Sequence, residues 1–341
     1  MNITRKLCGI ILIAALFAIA GCQMPADTSA PADDASSDSA STDEAGAAEM
    51  VEIRYGGQYY PGEFLLKGST DLWGDSAVDH ILFSSGTENN QALISGQIDI
   101  NVGSDSKTAS LFSAIPDTAV IIATTQRGDR YSTIVRADAD YESWEDLKGK
   151  TVGTRLGTGA EQVLLRYFDQ TEGLSWDDFE WVNLKIEDMV AALDSGSIEA
   201  FTAWEPTPAI AEAQEVGRAL ISFGDIAIVP VSMHTTVEYA ENNRAEIVEF
   251  LKGHIAKVEM IESDPDKAAE MAAEAASAQG IEVTADAFKR IFERVDFSLA
   301  VDDAAIESIN DTAQFLVDQG KLDAAPELRW DTSFLEEAMG E

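Results

Sequence analysis

The chain has 341 residues, 61 acidic against 23 basic, and a formal charge of −38. Nucleic-acid binding depends on Lys and Arg displacing phosphate counterions, so an acidic balance of this size excludes nucleic acid as a partner and gives anionic lipid no hold on the folded surface. With 45% hydrophobic residues the chain can bury a sizeable core, in roughly one to three compact units.

Arg5 and Lys6 lead into Leu7–Ala20, an uncharged run containing a single glycine. A helix needs about 20 residues to span a bilayer, so this run has the length of a signal-peptide core instead. It ends in Ile19-Ala20-Gly21-Cys22, which resembles the lipobox of bacterial lipoproteins. That resemblance implies cleavage before Cys22 and a lipid on its thiol; ordinary cleavage after Gly21, leaving a free thiol, is the alternative. Residues 1–21 are therefore expected to be a signal peptide, and residues 22–50 a lipidated cysteine and an acidic tether. The tether carries seven carboxylates and no basic residue, with nothing large to bury, so it is expected to be disordered. Cys8 and Cys22 are the only cysteines, which denies the rest of the chain a disulfide, a thiolate nucleophile or a Cys-based metal site.

From residue 51 short apolar runs alternate with helical periodicity and turn residues, the pattern of an α/β chain. In chain order, strands are expected at Val51–Tyr55, Ile98–Val102, Ala119–Thr125, Ser132–Val135, Thr151–Thr154, Ala200–Trp204 and Ala227–Val231. Helices are expected at Ala160–Thr171, Ile186–Ser195, Glu241–Ser263 and Ala304–Gln319. An internal echo organises these elements. Ala92-Leu-Ile-Ser-Gly96-Gln-Ile-Asp99 recurs 100 residues later as Ala192-Leu-Asp-Ser-Gly196-Ser-Ile-Glu199. In each copy a helix ends on a glycine suited to the left-handed cap, and a strand follows. Val51–Gly57 and Thr151–Gly157 form a weaker echo at the same offset, so the chain reads as a duplicated βαβ design.

Ligands of open α/β sheets sit beyond the carboxyl ends of the strands. By that rule Gly57, Gln58, Tyr59, Tyr60, Ser104, Asp105 and Ser106 would line one wall of a cleft, and Arg155, Gly157, Thr158, Gly159, Trp204 and Glu205 the other. Gly157-Thr158-Gly159 precedes a helix whose free N–H groups favour an anion, although a plain turn capped by Thr158 has the same spelling. Asp105 and Glu205, again 100 apart, are fit to act as acid and base, to bind a cation or amine, or merely to cap and turn. No nucleophile, oxyanion loop or cofactor motif accompanies them, which favours binding over catalysis. The aromatic rings of Tyr59, Tyr60 and Trp204 serve either a ligand or the core. Arg127, Arg130 and Arg155 are scarce cations near strand ends, able to pair with an anion or with neighbouring acids; Arg155 stands nearest the glycine run. His80, His234 and His254 form no ligand-spaced pair, so no metal is expected.

Ser143-Trp-Glu-Asp-Leu-Lys-Gly-Lys-Thr-Val-Gly153, Gly157-Thr-Gly-Ala-Glu, Ala192–Glu199 with Trp204-Glu-Pro206, Phe315–Leu322 and Ser333–Glu336 follow one another in the chain. In order and spacing this text resembles the solute-binding proteins of ABC importers, in the branch handling nitrate, alkylsulfonates, taurine and pyrimidine precursors. The resemblance implies a two-lobed periplasmic-binding-protein fold of type II, two open mixed α/β lobes joined by a hinge of two crossings near Ser132–Val135 and Gly224–Val231. Residues 51–132 with 226–341 would form one lobe and residues 133–225 the inserted one. It further implies a monomer that takes a small anionic or zwitterionic solute between its lobes and hands it to a permease driven by an ATPase, with no cofactor and no chemistry of its own. A lipid tether would hold it beside that permease and raise its effective concentration. An enzyme or a sensory lipoprotein on the same fold is the alternative.

Overall fold

The computed structural model describes residues 52–340, so the expected signal peptide, Cys22 and the tether lie outside the described residues. Among the described residues no helix is long and apolar enough to cross a membrane.

The chain begins with β1 (Ile53–Gln58), α1 (Pro61–Gly68), β2 (Val78–Phe83), α2 (Gly86–Ile94), β3 (Ile100–Ser104), α3 (Asp105–Ala114) and β4 (Ala119–Gly128). It continues as β5 (Tyr131–Arg136), β6 (Thr151–Thr154), α4 (Gly159–Gln170), β7 (Glu180–Asn183), α5 (Ile186–Asp194), β8 (Ala200–Trp204), α6 (Thr207–Ala213) and β9 (Gly217–Ser222). It closes with β10 (Val231–Thr236), α7 (Val237–Asn242), α8 (Arg244–Ser263), α9 (Pro265–Ala278), α10 (Ala285–Arg294), β11 (Val295–Asp296), α11 (Asp303–Asp318) and α12 (Ser333–Met339).

These strands build a six-stranded sheet in the order β11-β4-β10-β3-β1-β2 and a five-stranded sheet in the order β7-β6-β8-β5-β9. The hundred-residue echo is visible here. β2-β1-β3 and β7-β6-β8 are both parallel trios, and each is flanked by an antiparallel strand, β10 or β5, that has just arrived from the other sheet. The joins match atom for atom. Gly96 and Gly196 both take positive φ, 72° and 69°, where a β-carbon would be strained. The hydroxyls of Ser95 and Ser195 each donate to the carbonyl three residues earlier, Ala92 and Ala192, at 3.1 Å. Ile98 and Ile198, one residue before the acid, are buried in their respective cores.

The chain passes between sheets at 129–130 and returns through 223–230. Ser132–Val135, expected as a strand near the first crossing, lies within β5, directly after the passage. Ala227–Val231 is not the strand expected from its apolar run: β10 starts where that run ends, because 223–230 is spent on the return passage. The two passages are tied together by Gly128 N–H donating to the Ile228 carbonyl at 2.6 Å. The helix expected over Glu241–Ser263 is broken at Asn243, since Asn242 and Asn243 turn their side-chain amides back onto the Glu238 and Tyr239 carbonyls at 2.8 and 2.9 Å.

The conspicuous Ser143–Gly153 text turns out to be structural. Asp146 Oδ2 accepts from the Ser143 N–H at 3.0 Å, which sets Trp144 into an aromatic core with Phe168 and Phe179, both 5.0 Å away edge to face. Gly149, at φ 71°, then turns the chain into β6.

A buried polar cluster lies beneath β1. Tyr55 Oη donates to Glu63 Oε1 at 2.8 Å, His80 Nε2 is 3.0 Å from Glu63 Oε2, and His80 and His254 pack on the Tyr55 ring. Lys257, equally buried, donates to Thr125 Oγ1 at 3.0 Å. Burial pulls its ammonium down to about 8, although the charge of Glu63 resists. The folded state thus binds fewer protons than the unfolded state between about pH 8 and the ordinary lysine value near 10.4. The cost of burying this charge is therefore fully present below pH 8 and fades as pH rises towards 10.4. Lys257→Met is expected to stabilise the fold at pH 7 by about 1–3 kcal/mol. Urea titrations at pH 7 and pH 10 should show that advantage shrinking at the higher pH, and an advantage independent of pH would refute the account.

Candidate functional site

The carboxyl ends of β1 and β3 deliver Tyr59–Tyr60 and Asp105–Ser106, and those of β6 and β8 deliver Arg155–Thr158 and Glu205–Pro206. The two sets meet. Asp105 opens α3 fully buried; its Oδ1 accepts from the Ser106 N–H at 2.6 Å, and its Oδ2 from Thr312 Oγ1 at 2.6 Å and Gln162 Nε2 at 3.3 Å. Gln162 and Arg166, one turn apart on α4, donate to Thr312 Oγ1 at 2.5 and 2.8 Å. Thr312 belongs to α11, which lies along α3, so this knot sews the five-stranded unit to the six-stranded one. Burial pushes the Asp105 carboxyl up from its usual range, against the Thr312 hydrogen bond and the charges of Arg166 and Arg130. On the other side of the seam Glu205 pairs with Arg294 of α10, and its Oε2 accepts from Ala209 N–H at 3.2 Å.

Between these clasps sits Arg130, in the first passage and only 1% exposed. Its Nε donates to the Val229 carbonyl of the returning passage at 3.2 Å, and its Nη2 to Tyr131 Oη at 3.1 Å. Its Cζ lies 5.4 Å from the Tyr60 ring centre and 4.5 Å from that of Tyr131. Nη1 is buried and has no hydrogen-bond partner among the described residues. An unused donor on a buried guanidinium is costly, and Nη1 is chemically able to donate to an anion. Gly159 frames the same place: a β-carbon there would fall 2.2 Å from Tyr131 Oη, so glycine lets the start of α4 approach the ring.

Two hollows open beside the neighbouring site residues. One, of about 160 Å³, is lined by Ser106, Lys107, Thr158, Glu161 and Lys321. Glu161 there accepts from the Gly157 N–H at 2.8 Å and from Lys321 at 2.6 Å, so the chain's own carboxylate sits on the glycine turn. Burial lowers the Lys107 ammonium to about 8, with Glu161 opposing and Lys321 and Arg155 reinforcing. The other hollow, of about 450 Å³, runs past Tyr59 and Pro206 between α5, α6 and the 279–282 turn.

The expected site residues thus separate. Asp105 and Tyr60 gather at the Arg130 seam with Glu205 beside them; Ser106, Gly157 and Thr158 line the small hollow, and Arg155 is half-buried near Lys107. Tyr59 lines the larger hollow and stacks on Phe64 at 6.0 Å. Gln58 is spent on the Val102 carbonyl at 2.8 Å, Gly57 covers the Glu63–His80 pair, and Trp204 packs edge-on against Tyr131 at 6.3 Å. Ser104 shares a 3.2 Å contact with Ser106. Arg127 is consumed by Asp296 and Asp302 at 2.7 and 2.8 Å. Tyr131, Gln162, Thr312 and Arg294 were not legible as site residues. Thr312 and Arg294 sit on helices far along the chain, where only packing brings them to the cleft. His234 is a core histidine between Asn101 Oδ1 and Thr108 Oγ1, both at 2.9 Å, and burial lowers it to about 3. Among the described residues no group of three or more His, Cys, Asp or Glu is placed to hold a metal ion.

Comparison with known proteins agrees with this layout. The NMT1-like family matches residues 67–276. A protein of Escherichia coli (strain K12), named as an aliphatic sulfonates-binding protein, is 25% identical over 182 residues, 53% of this chain and 56% of the relative; the match thus spans about half of that protein's length. The alkanesulfonate-binding protein SsuA of Xanthomonas axonopodis pv. citri, bound to MOPS, superposes with a TM-score of 0.71 at 20% identity, covering 82% of this chain and 97% of that one. The periplasmic nitrate-binding protein NrtA of Synechocystis PCC 6803 superposes with a TM-score of 0.66 at 14% identity, covering 86% and 89%.

Proposed function

Since this chain belongs to the NMT1-like family and has the two-lobed periplasmic-binding-protein fold of type II, we propose that it is the extracytoplasmic solute-binding component of an ABC importer. In this reading the five-stranded sheet between the two passages is the inserted lobe, and the flanking segments form the other. A small anionic or zwitterionic solute of the sulfonate, taurine or nitrate class is held between them. The single observation that carries the reading is Arg130: a buried guanidinium in the hinge, clamped by Tyr60 and Tyr131, with Nη1 unpartnered. In a chain with an excess of 38 negative charges, a cation kept there without a salt bridge among the described residues invites an anion. Its position between the passages couples occupancy to the angle between lobes, which is what a permease would read. Lipidation at Cys22 after loss of residues 1–21, a monomeric state and an energising ATPase complete the proposal, with the protein performing no chemistry itself.

A thermal-denaturation panel of methanesulfonate, taurine, nitrate, a simple amine and a pyrimidine tests it. At 100 times its dissociation constant the right solute adds about 2.7 kcal/mol of stability. Stabilisation by at least one of the anions or the zwitterion is expected; stabilisation by the amine or pyrimidine alone would overturn the reading.

A further inference from the structure

Thr312 stands in the apolar stripe that α11 buries, beside Ile309, Ala313 and Leu316. A threonine inside a helix ordinarily returns its hydroxyl to a carbonyl of the preceding turn. Here the proton goes to Asp105 Oδ2 at 2.6 Å, and both lone pairs of Oγ1 are taken, by Gln162 Nε2 at 2.5 Å and Arg166 Nη2 at 2.8 Å. The hydroxyl is therefore saturated, with nothing left to offer a solute. Asp105 belongs to α3, in the same half as α11, whereas Gln162 and Arg166 belong to α4, in the half between the two passages. Asp105, Gln162 and Thr312 are each at most 2% exposed, so no solvent stands ready to replace a lost bond. α4 carries this clasp to the anion seat proposed at Arg130. Its first residue, Gly159, lies so close that a β-carbon would fall 2.2 Å from Tyr131 Oη and 3.5 Å from Val229 Cγ1. Tyr131 Oη and the Val229 carbonyl are the two acceptors that hold the guanidinium. Gln162 follows Gly159 on the same turn of helix, so the grip of Thr312 on Gln162 sets where the start of α4 stands beside Arg130.

We infer that Thr312 is a positioning residue for solute binding: its hydroxyl holds α4 against α3 and α11, and so keeps the Tyr131 wall of the Arg130 seat in place without touching the solute. The inference rests on the solute-binding reading above and concerns the regulation of that same site. Loss of the hydroxyl leaves Asp105 Oδ2, Arg166 and Gln162 each short of a partner in a dry seam. Separation of the two halves lets water reach all three, so the cost falls on the joined arrangement while each half keeps its own packing. Affinity for the solute then falls by the fraction of molecules that remain joined.

Thr312→Val keeps the β-branched shape and removes the hydroxyl, whereas Thr312→Ser keeps the hydroxyl. In calorimetric titration with methanesulfonate, affinity is expected to fall at least about tenfold in Thr312→Val and to stay within about threefold in Thr312→Ser. Arg166→Met keeps an apolar chain beside the Phe315 ring, 5.9 Å from the guanidinium carbon, and removes one of the three bonds. It should lose about threefold, and less than that when added to Thr312→Val, because the two share one clasp. Hydrogen exchange gives a readout that a merely structural role would not move. In Thr312→Val the amides of 157–163 and 223–230 should exchange faster, and those around Trp144 at the native rate. An unchanged dissociation constant in folded Thr312→Val overturns the inference and leaves the solute-binding reading standing, as does an equal loss in Thr312→Ser. Native exchange at 157–163, or faster exchange spread evenly through the molecule with Trp144 included, also overturns it. Should Thr312→Val fail to fold, Arg166→Met decides, and native affinity in that variant overturns the inference. Failure of the unaltered protein to bind methanesulfonate, taurine or nitrate overturns the solute-binding reading and this inference with it.

Discussion

Arg130→Ala is expected to weaken methanesulfonate binding by at least about 100-fold, with calorimetry as the readout. Hydrogen bonds to a charged group contribute about 1.5–3 kcal/mol each, and removing one partner of a buried ion pair costs about 3–5 kcal/mol. A loss of 3 kcal/mol corresponds to a factor of about 150. Arg130→Lys should recover only part of the affinity, because an ammonium cannot offer the planar pair of donors that suits a sulfonate, nor lie flat on the Tyr60 and Tyr131 rings. The variant also separates two roles that Arg130 combines. Its Nε bond to Val229 ties the two passages, so Arg130→Ala should loosen the hinge as well as empty the seat. A glutamine at this position keeps a donor near Val229 but carries no charge, and it should bind no better than alanine if charge is what matters. An unchanged dissociation constant in Arg130→Ala would remove this residue from the site.

Trp144→Ala is expected to cost the fold about 3–5 kcal/mol, the usual loss for a large aromatic taken from a packed core. Trp144 is 1% exposed, with Phe168 and Phe179 packed edge-on at 5.0 Å and Trp181 at 6.3 Å. The surrounding rings come from α4, β7 and the segment before β7, so no single element can collapse into the space. Phenylalanine at 144 refills part of it and should lose markedly less. Chemical denaturation followed by circular dichroism measures both variants. A loss below about 1 kcal/mol for Trp144→Ala would mean that this aromatic cluster is not the core of the five-stranded half. Because Trp144 lies away from the Arg130 seam, the variant should retain its ligand affinity under conditions where it remains folded.

Both expectations start from residues that looked alike in the text, a conspicuous aromatic and a scarce cation, and the structure gives them opposite kinds of work. Ser143–Gly153 carried much of the family resemblance, and it is a device for seating Trp144 and turning into β6. By its spelling Gly157-Thr158-Gly159 fits an anion seat or a plain turn. It is a capped turn already occupied by the carboxylate of Glu161, and Gly159 matters for its close approach to Tyr131. The strand expected over Ala227–Val231 gives way to a passage because an apolar run serves a buried passage as readily as a strand, and composition alone does not tell the two apart.

The α/β class, the duplicated halves and the presence of β1, β3, β4, β5, β6 and β8 were determined by the sequence itself. They rest on local physics: a period of alternation, a glycine that alone tolerates positive φ at Gly96 and Gly196, and an isoleucine that must then be buried. These act over a few residues and leave the same mark in the text wherever they recur. What the tertiary structure decided is the candidate site. Arg130 becomes a hinge cation only because Val229, 99 residues later, returns beside it, and Asp105 becomes a clasp only because Thr312 of α11 and Gln162 of α4 converge on it. Burial, and with it the energetic consequence of an unpaired donor or a desolvated carboxyl, is a property of the packed whole, so no local pattern could carry it.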